Sequence, residues 1–203
     1  MSDSVSAIIL AGGRSSRMGR PKASLKFGSS TLLERIVAEM KKVFDDIVVV
    51  ASPTDLIEIA GVRTIHDETD YAGPVGALER GMLATPNEIA FACSCDVPFV
   101  SADLNLALAG MLGEHDAVIP NVDGKLQTLH AVYRKKCAKV LATMRGKGEH
   151  RLNEIVNFAK VRIVPEDELR ALDPKVDMRS FFNVNTPEDY QRALKMMDEE
   201  FGR

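Results

Sequence analysis

Three runs in this chain, "AIIL" (7–10), "IVVVA" (47–51) and "IAFAC" (89–93), contain no charged or strongly polar residue. A strand with one wet face alternates apolar and polar residues, so an unbroken run has both faces buried, as in a parallel sheet sandwiched by helices. The runs are far short of the roughly 20 residues that span a bilayer. Helical spacing follows the first of them: in "TLLERIVAEMKKVF", Leu33, Ile36, Val37, Met40 and Phe44 share a face, and Thr31 with Glu34 predicts a capping box. The segment "TDLIEIA", ended by Gly61, reads as a short helix, and "VRTIHD" (62–67) as the next strand. A helix is expected over 74–84, and Ser101 is placed to cap another that runs to Leu112. The implied fold class is α/β, a mostly parallel sheet flanked by helices.

The pattern changes after residue 115. "DAVIPNV" and "LQTLHAVY" flank Asp123-Gly124, a hairpin signal that adds antiparallel strands to the C-terminal half. "SFFNVNTPEDYQRALKMMDEEF" reads as one more strand and a helix, with Thr186 as cap, Pro187 at the first position and acids in the first turn. A chain of 203 residues supports one substantial core, so a single domain spanning 1–203 is expected. Cys93, Cys95 and Cys137 lack zinc-site spacing and read as packed thiols. With no signal pattern at the N-terminus, the chain reads as cytoplasmic, with no membrane partner.

The net charge is −3, which argues against a general nucleic-acid binder. Yet between Ser4 and Leu33 stand five basic residues, Arg14, Arg17, Arg20, Lys22 and Lys26, and no acid. Gly12 and Gly13 precede all of that charge at the carboxyl end of the first strand, where open parallel sheets bind ligands. Bare backbone N–H groups can approach an anion there and the cations neutralise it, which points to a polyphosphate. Neither familiar phosphate motif fits: five residues separate Gly13 from Gly19, Arg20 follows, and G-x-G-x-x-G is absent.

Asp96 in "CSCDVPF" ends an apolar strand on the same rim, and Asp67 ends "TIHD" there too. A lone hard carboxylate suits Mg²⁺, which takes one or two carboxylates together with substrate phosphates and water. Polyphosphate, metal and cations without an evident nucleophile or histidine base point to phosphoryl or nucleotidyl transfer, where positioning and charge neutralisation dominate. An attacking phosphate monoester has a second pKa near 6, so it needs no general base.

"LAGGRSSRMGRPKA" resembles the signature of the molybdenum cofactor guanylyltransferases. The likeness continues in order through "HDETDYAGPVGAL", "CSCDVPFV", "LHAVYR" and "FFNVNTPEDY". The resemblance implies a Rossmann-like nucleotidyltransferase domain that transfers GMP from Mg·GTP onto the terminal phosphate of molybdopterin, releasing pyrophosphate. The nucleotide half would be about 1–115 and the acceptor half about 116–203. By motif, Leu10, Ala11, Gly12 and Gly13 would hold guanine and phosphates, with Arg17 and Lys22 neutralising the triphosphate and leaving group. Asp67 would serve the nucleoside side, Asp96 would hold Mg²⁺, and Asn183 and Asn185 would face molybdopterin. Other molybdenum-cofactor proteins are implied as partners.

The chain departs from that pattern at three places. Pro21 stands where the family usually has Asp, Ala51 and Ser52 where an asparagine often follows the second strand, and Ala77 where a glycine is expected. Pro21 is more common in CTP-using relatives, whereas Gly13 and "NVNTPEDY" favour guanine. A cytidylyltransferase, a guanylyltransferase acting on a cobamide precursor, and a non-catalytic nucleotide or cofactor carrier are the alternatives.

Overall fold

In the computed structural model, residues 4–12, 22–67, 73–172 and 177–201 are described. Along the chain come β1 (Val5–Leu10), a short hairpin of β2 (Lys26–Phe27) and β3 (Ser30–Thr31), α1 (Leu32–Met40), β4 (Asp46–Ala51), β5 (Arg63–His66), α2 (Pro74–Ala84), β6 (Ile89–Ser94) and α3 (Ala102–Gly110). There follow β7 (Ala117–Val122), β8 (Lys125–Leu126), β9 (His130–Arg134), α4 (Cys137–Gly146), β10 (Val161–Pro165), α5 (Glu166–Leu172) and α6 (Pro187–Phe201). The main sheet runs β10-β7-β9-β6-β1-β4-β5, with β8 attached to β7. The apolar runs pair in parallel, β1 with β4 and with β6, and β4 with β5. β9 alone in that order is antiparallel to both its neighbours.

Strand alternation divides β1 between two cores. Ala7 and Ile9 pack on one face with Ile36 and Met40 of α1 and Leu104 and Leu108 of α3. Ile8 and Leu10 pack on the other with Leu78 and Met82 of α2 and Leu141 and Met144 of α4. A third cluster joins Phe27 of the small hairpin and Phe99 of the loop after β6 to Val184, and to Ala193 and Met197 of α6. Among the described residues no helix is long and apolar enough to cross a membrane.

The local signals at element starts hold. Glu34 N donates to Thr31 Oγ1 at 3.2 Å and Thr31 N to Glu34 Oε2 at 2.7 Å, so the capping box opens α1. Ser101 accepts from Leu104 N at the start of α3. Asp123 and Gly124 take φ of 50° and 72°, the left-handed pair of a tight hairpin turn. Thr186 Oγ1 accepts from Asp189 N at 3.1 Å, while Asp189 Oδ2 accepts from Thr186 N at 3.0 Å, closing the first turn of α6. The three cysteines are buried and unbridged.

Two expectations fail. The segment 54–60 is not helical: Ile57 and Ile59 turn inward against the core while Leu56, just before them, is 98% exposed and Glu58 between them is exposed too. That period of two belongs to extended backbone, and seven residues before a glycine are too few to offset helix nucleation without a buried stripe. The strand expected in "SFFNVN" is also absent. Met178–Phe181 forms a 3₁₀ turn, and the backbone beyond it pairs with no strand among the described residues, being held instead by Val184 N donating to the Asp96 carbonyl at 2.8 Å. α4, β10 and α5 had no counterpart in the sequence reading.

At Gly81 of α2, an added Cβ would lie 2.5 Å from Ile8 Cγ2 and 3.2 Å from Val50 Cγ2. Alanine ordinarily stabilises an exposed helix interior over glycine by about 1 kcal/mol. Here overpacking reverses the sign, and Gly81→Ala is expected to destabilise by about 1–3 kcal/mol in urea unfolding. A more stable variant would show that α2 is free to lift from β1 and β4.

Candidate active site

Because β1, β4, β5 and β6 run in parallel, their carboxyl ends share one rim. Their extensions are stitched together there by backbone bonds: Ala11 N to Val50 O at 2.8 Å, Asp67 N to Ala51 O at 2.9 Å and Cys95 N to Leu10 O at 2.9 Å. Over this rim opens a cleft of about 640 Å³. Its lining includes every described residue expected in the site: Leu10, Ala11, Gly12, Lys22, Asp67, Asp96, Asn183 and Asn185. Gly13 and Arg17 lie outside the described residues. At Gly12 a Cβ would stand 3.2 Å from Ser52 N, so the bare backbone lets the two loop starts meet.

Asp96 is held at three atoms. Its carbonyl accepts from Val184 N, its Oδ2 from Lys22 Nζ at 3.0 Å, and its Oδ1 from the Ser94 hydroxyl. Lys22 Nζ also donates to Asn185 Oδ1 at 2.8 Å. One ammonium therefore joins the basic loop, the end of β6 and the segment before α6. The Lys22 and Asp96 side chains are only 18% and 15% exposed, which limits screening of their attraction. Asn185 is steadied by its own N–H, which donates to Asp189 Oδ2 at 3.1 Å. Asn183 differs: its amide turns back to donate to the Phe181 carbonyl at 2.8 Å. Asp67 stands on the cleft wall formed by β5.

Among the described residues no three His, Cys, Asp or Glu side chains gather as a protein-only metal cage. The donor set fits a hard cation that keeps water and phosphate ligands, as Mg²⁺ does. The Lys22 ammonium on Asp96 Oδ2 shows that this carboxylate accepts a cation from the cleft side.

The other chemically suggestive side chains are not in reactive form. Cys95 lines the cleft, but burial, with the Asp96 charge adding to it, pushes its thiol up to about 12, so at neutral pH it is an apolar wall. His130, at the start of β9, is packed between Phe91, edge-on, and Phe181, tilted, at ring separations of 5.2 and 4.6 Å. Among the described residues neither ring nitrogen finds a hydrogen-bond partner, and burial pushes its pKa down to about 3. Ser94 was missed by the sequence reading. The available signal was its spacing: in extended backbone the residue two before a rim carboxylate points the same way. Leu129 and Pro74, which also line the cleft, carried no such signal.

Over residues 7–163 the sequence matches the MobA-like NTP transferase domain. It is 34% identical to the molybdenum cofactor guanylyltransferase of Desulfosudis oleivorans, with 94% of this chain and 95% of that protein covered. It is 32% identical to the probable molybdenum cofactor guanylyltransferase of Methanosarcina mazei, covering 97% and 93%. The fold is similar to the crystal structure of molybdopterin-guanine dinucleotide biosynthesis protein A from Archaeoglobus fulgidus. The TM-score is 0.82 at 23% identity, over 96% of this chain and 99% of that one.

The buried neutral imidazole makes stability fall with acid. The unfolded chain takes up a proton at His130 below its ordinary pKa of about 6.5, while the folded chain resists until about 3. The contribution is thus intact above pH 6.5 and is lost as pH falls from there. Between pH 7 and 5 the native protein should lose about 2 kcal/mol that His130→Leu does not. Urea unfolding of both proteins at the two pH values checks this; equal losses would mean that the ring has a stabilising partner.

Proposed function

The chain belongs to the MobA-like NTP transferase domain family, and on that premise we propose that it is a molybdenum cofactor guanylyltransferase, transferring GMP from Mg·GTP to the terminal phosphate of molybdopterin. The observation that carries this reading is the joining of Lys22, Asp96 and Asn185 across one cleft beside the bare backbone of Gly12. That arrangement can neutralise a polyphosphate at the point where donor and acceptor meet. The names of the two relatives support guanine and molybdopterin as the substrates.

In the reaction an oxygen of the acceptor phosphate forms a bond to the α-phosphorus of GTP. The bond from that phosphorus to the bridging oxygen breaks, and pyrophosphate leaves with the electron pair. The acceptor phosphate is largely dianionic at neutral pH and needs no base, in keeping with a neutral His130 and a protonated Cys95. Asp96 would hold Mg²⁺, which neutralises charge on the reacting phosphates. Lys22, with Arg17, stabilises the triphosphate and the departing pyrophosphate. Leu10, Ala11, Gly12 and Gly13 present backbone to guanine and phosphates, Asp67 holds the nucleoside, and Asn183 and Asn185 orient the acceptor. We assign these roles within one cytoplasmic domain, whose first half, to about residue 115, binds nucleotide and whose remainder binds acceptor.

Pyrophosphate release by the purified protein with Mg²⁺ and molybdopterin, run in parallel on GTP and CTP, should favour GTP strongly. Preference for CTP would transfer the weight to the cytidylyl reading that Pro21 suggests. Asp96→Ala should keep the fold and lose turnover by on the order of 100-fold. Lys22→Ala should weaken GTP binding by about 1.5–3 kcal/mol, the scale of one hydrogen bond to a charged group. Unchanged kinetics in either variant would remove that residue from the site.

A further inference from the structure

Ser94 is the last residue of β6, and nothing in the transfer chemistry requires it. It is pinned from behind, opposite Leu10 in the parallel ladder. Asp96 is pinned two residues further on by the bond from Val184 N to its carbonyl. Between these fixed backbones the Ser94 hydroxyl donates to Asp96 Oδ1, leaving Oδ2 as the oxygen that meets the Lys22 ammonium. The two oxygens of one carboxylate are therefore unequal: one is committed to a neutral donor of the protein, the other to a cation.

That inequality matters for the kind of cation the site accepts. Mg²⁺ demands a near-octahedral shell and usually takes one oxygen from a carboxylate, whereas the larger Ca²⁺ readily takes both. A hydroxyl donating to Oδ1 opposes two-oxygen chelation and holds the carboxylate plane still, as outer partners of metal ligands commonly do. We propose that Ser94 is a positioning residue that confines Asp96 to one-oxygen coordination and so biases the site toward Mg²⁺ over Ca²⁺. The proposal rests on the reading that Asp96 holds the divalent cation, and it concerns a residue to which that reading gives no part.

The test separates the two. Titration calorimetry would measure Mg²⁺ and Ca²⁺ binding to the whole protein with a GTP analogue carrying a methylene bridge between the α- and β-phosphorus atoms, so that no turnover occurs. Native protein, Ser94→Ala, Ser94→Thr and Asp96→Ala would be compared. Ser94→Ala should reduce the Mg²⁺-over-Ca²⁺ preference by about 10-fold, the lower end of what loss of an outer partner does to a metal site. Ser94→Thr, which keeps the hydroxyl, should retain the native preference, a rescue that a role in packing alone would not give. Loss of metal binding in Asp96→Ala with an unchanged preference in Ser94→Ala would overturn the proposal and leave the reading of Asp96 standing. Native metal binding by Asp96→Ala would overturn both.

Discussion

The parallel pairing of β1 with β6, which sets Leu10 beside Ser94, is the constraint from which the rest of the site follows. Both strands are buried on both faces, so their register is fixed by two cores at once; a slip of one residue would exchange every side chain between them. With that register set, the glycine loop after Leu10 and the carboxylate after Ser94 must emerge side by side. The Cys95 N–H, bonded to the Leu10 carbonyl, carries the pairing past the end of the ladder. Close seating of α2 on β1 and β4 at Gly81 keeps this central part of the sheet from shifting.

Upon that frame the chain places a charge network rather than an acid–base pair. Lys22, Asp96 and Asn185 come from three distant parts of the sequence and converge as an ion pair joined to an amide. Burial leaves His130 too weakly basic to take up a proton at neutral pH and keeps Cys95 as the thiol. This division suits displacement at phosphorus, in which both the attacking and the leaving group carry their own negative charge. It also makes the ion pair costly to break from one side, since a half-buried charge without its partner has lost its water and gained nothing.

How much of this was legible depended on whether a signal was local. The capping box of Thr31 and Glu34, the Asp123-Gly124 turn and the Thr186-Pro187 helix start depend on residues within a turn of one another, and each is where the sequence reading put it. The unbroken apolar runs predicted parallel strands, and a parallel sheet sends their carboxyl ends to one rim, so residues far apart in sequence could be assigned to one cleft. The failures are non-local. Leu56, Ile57 and Ile59 look helical by composition, but packing against a core assembled from distant elements takes Ile57 and Ile59 inward and leaves Leu56 exposed. "SFFNVN" has strand composition but meets the loop holding Asp96 in place of a free sheet edge. The turned-back amide of Asn183 depends on a side-chain rotamer that no spacing rule predicts, and for Ser94 spacing gives only the side of the strand, not the bond its hydroxyl makes.

Nucleotidyl transfer is defined by which bond of the nucleotide is broken. Its most direct test follows two samples of GTP, one labelled at the α-phosphorus and one at the γ-phosphorus, through incubation with the protein, Mg²⁺ and molybdopterin. Transfer of the nucleotidyl group predicts that α-label appears in a molybdopterin dinucleotide while γ-label appears only in pyrophosphate. Recovery of γ-label on the acceptor, or of α-label only in GTP and free guanine nucleotides, would contradict it.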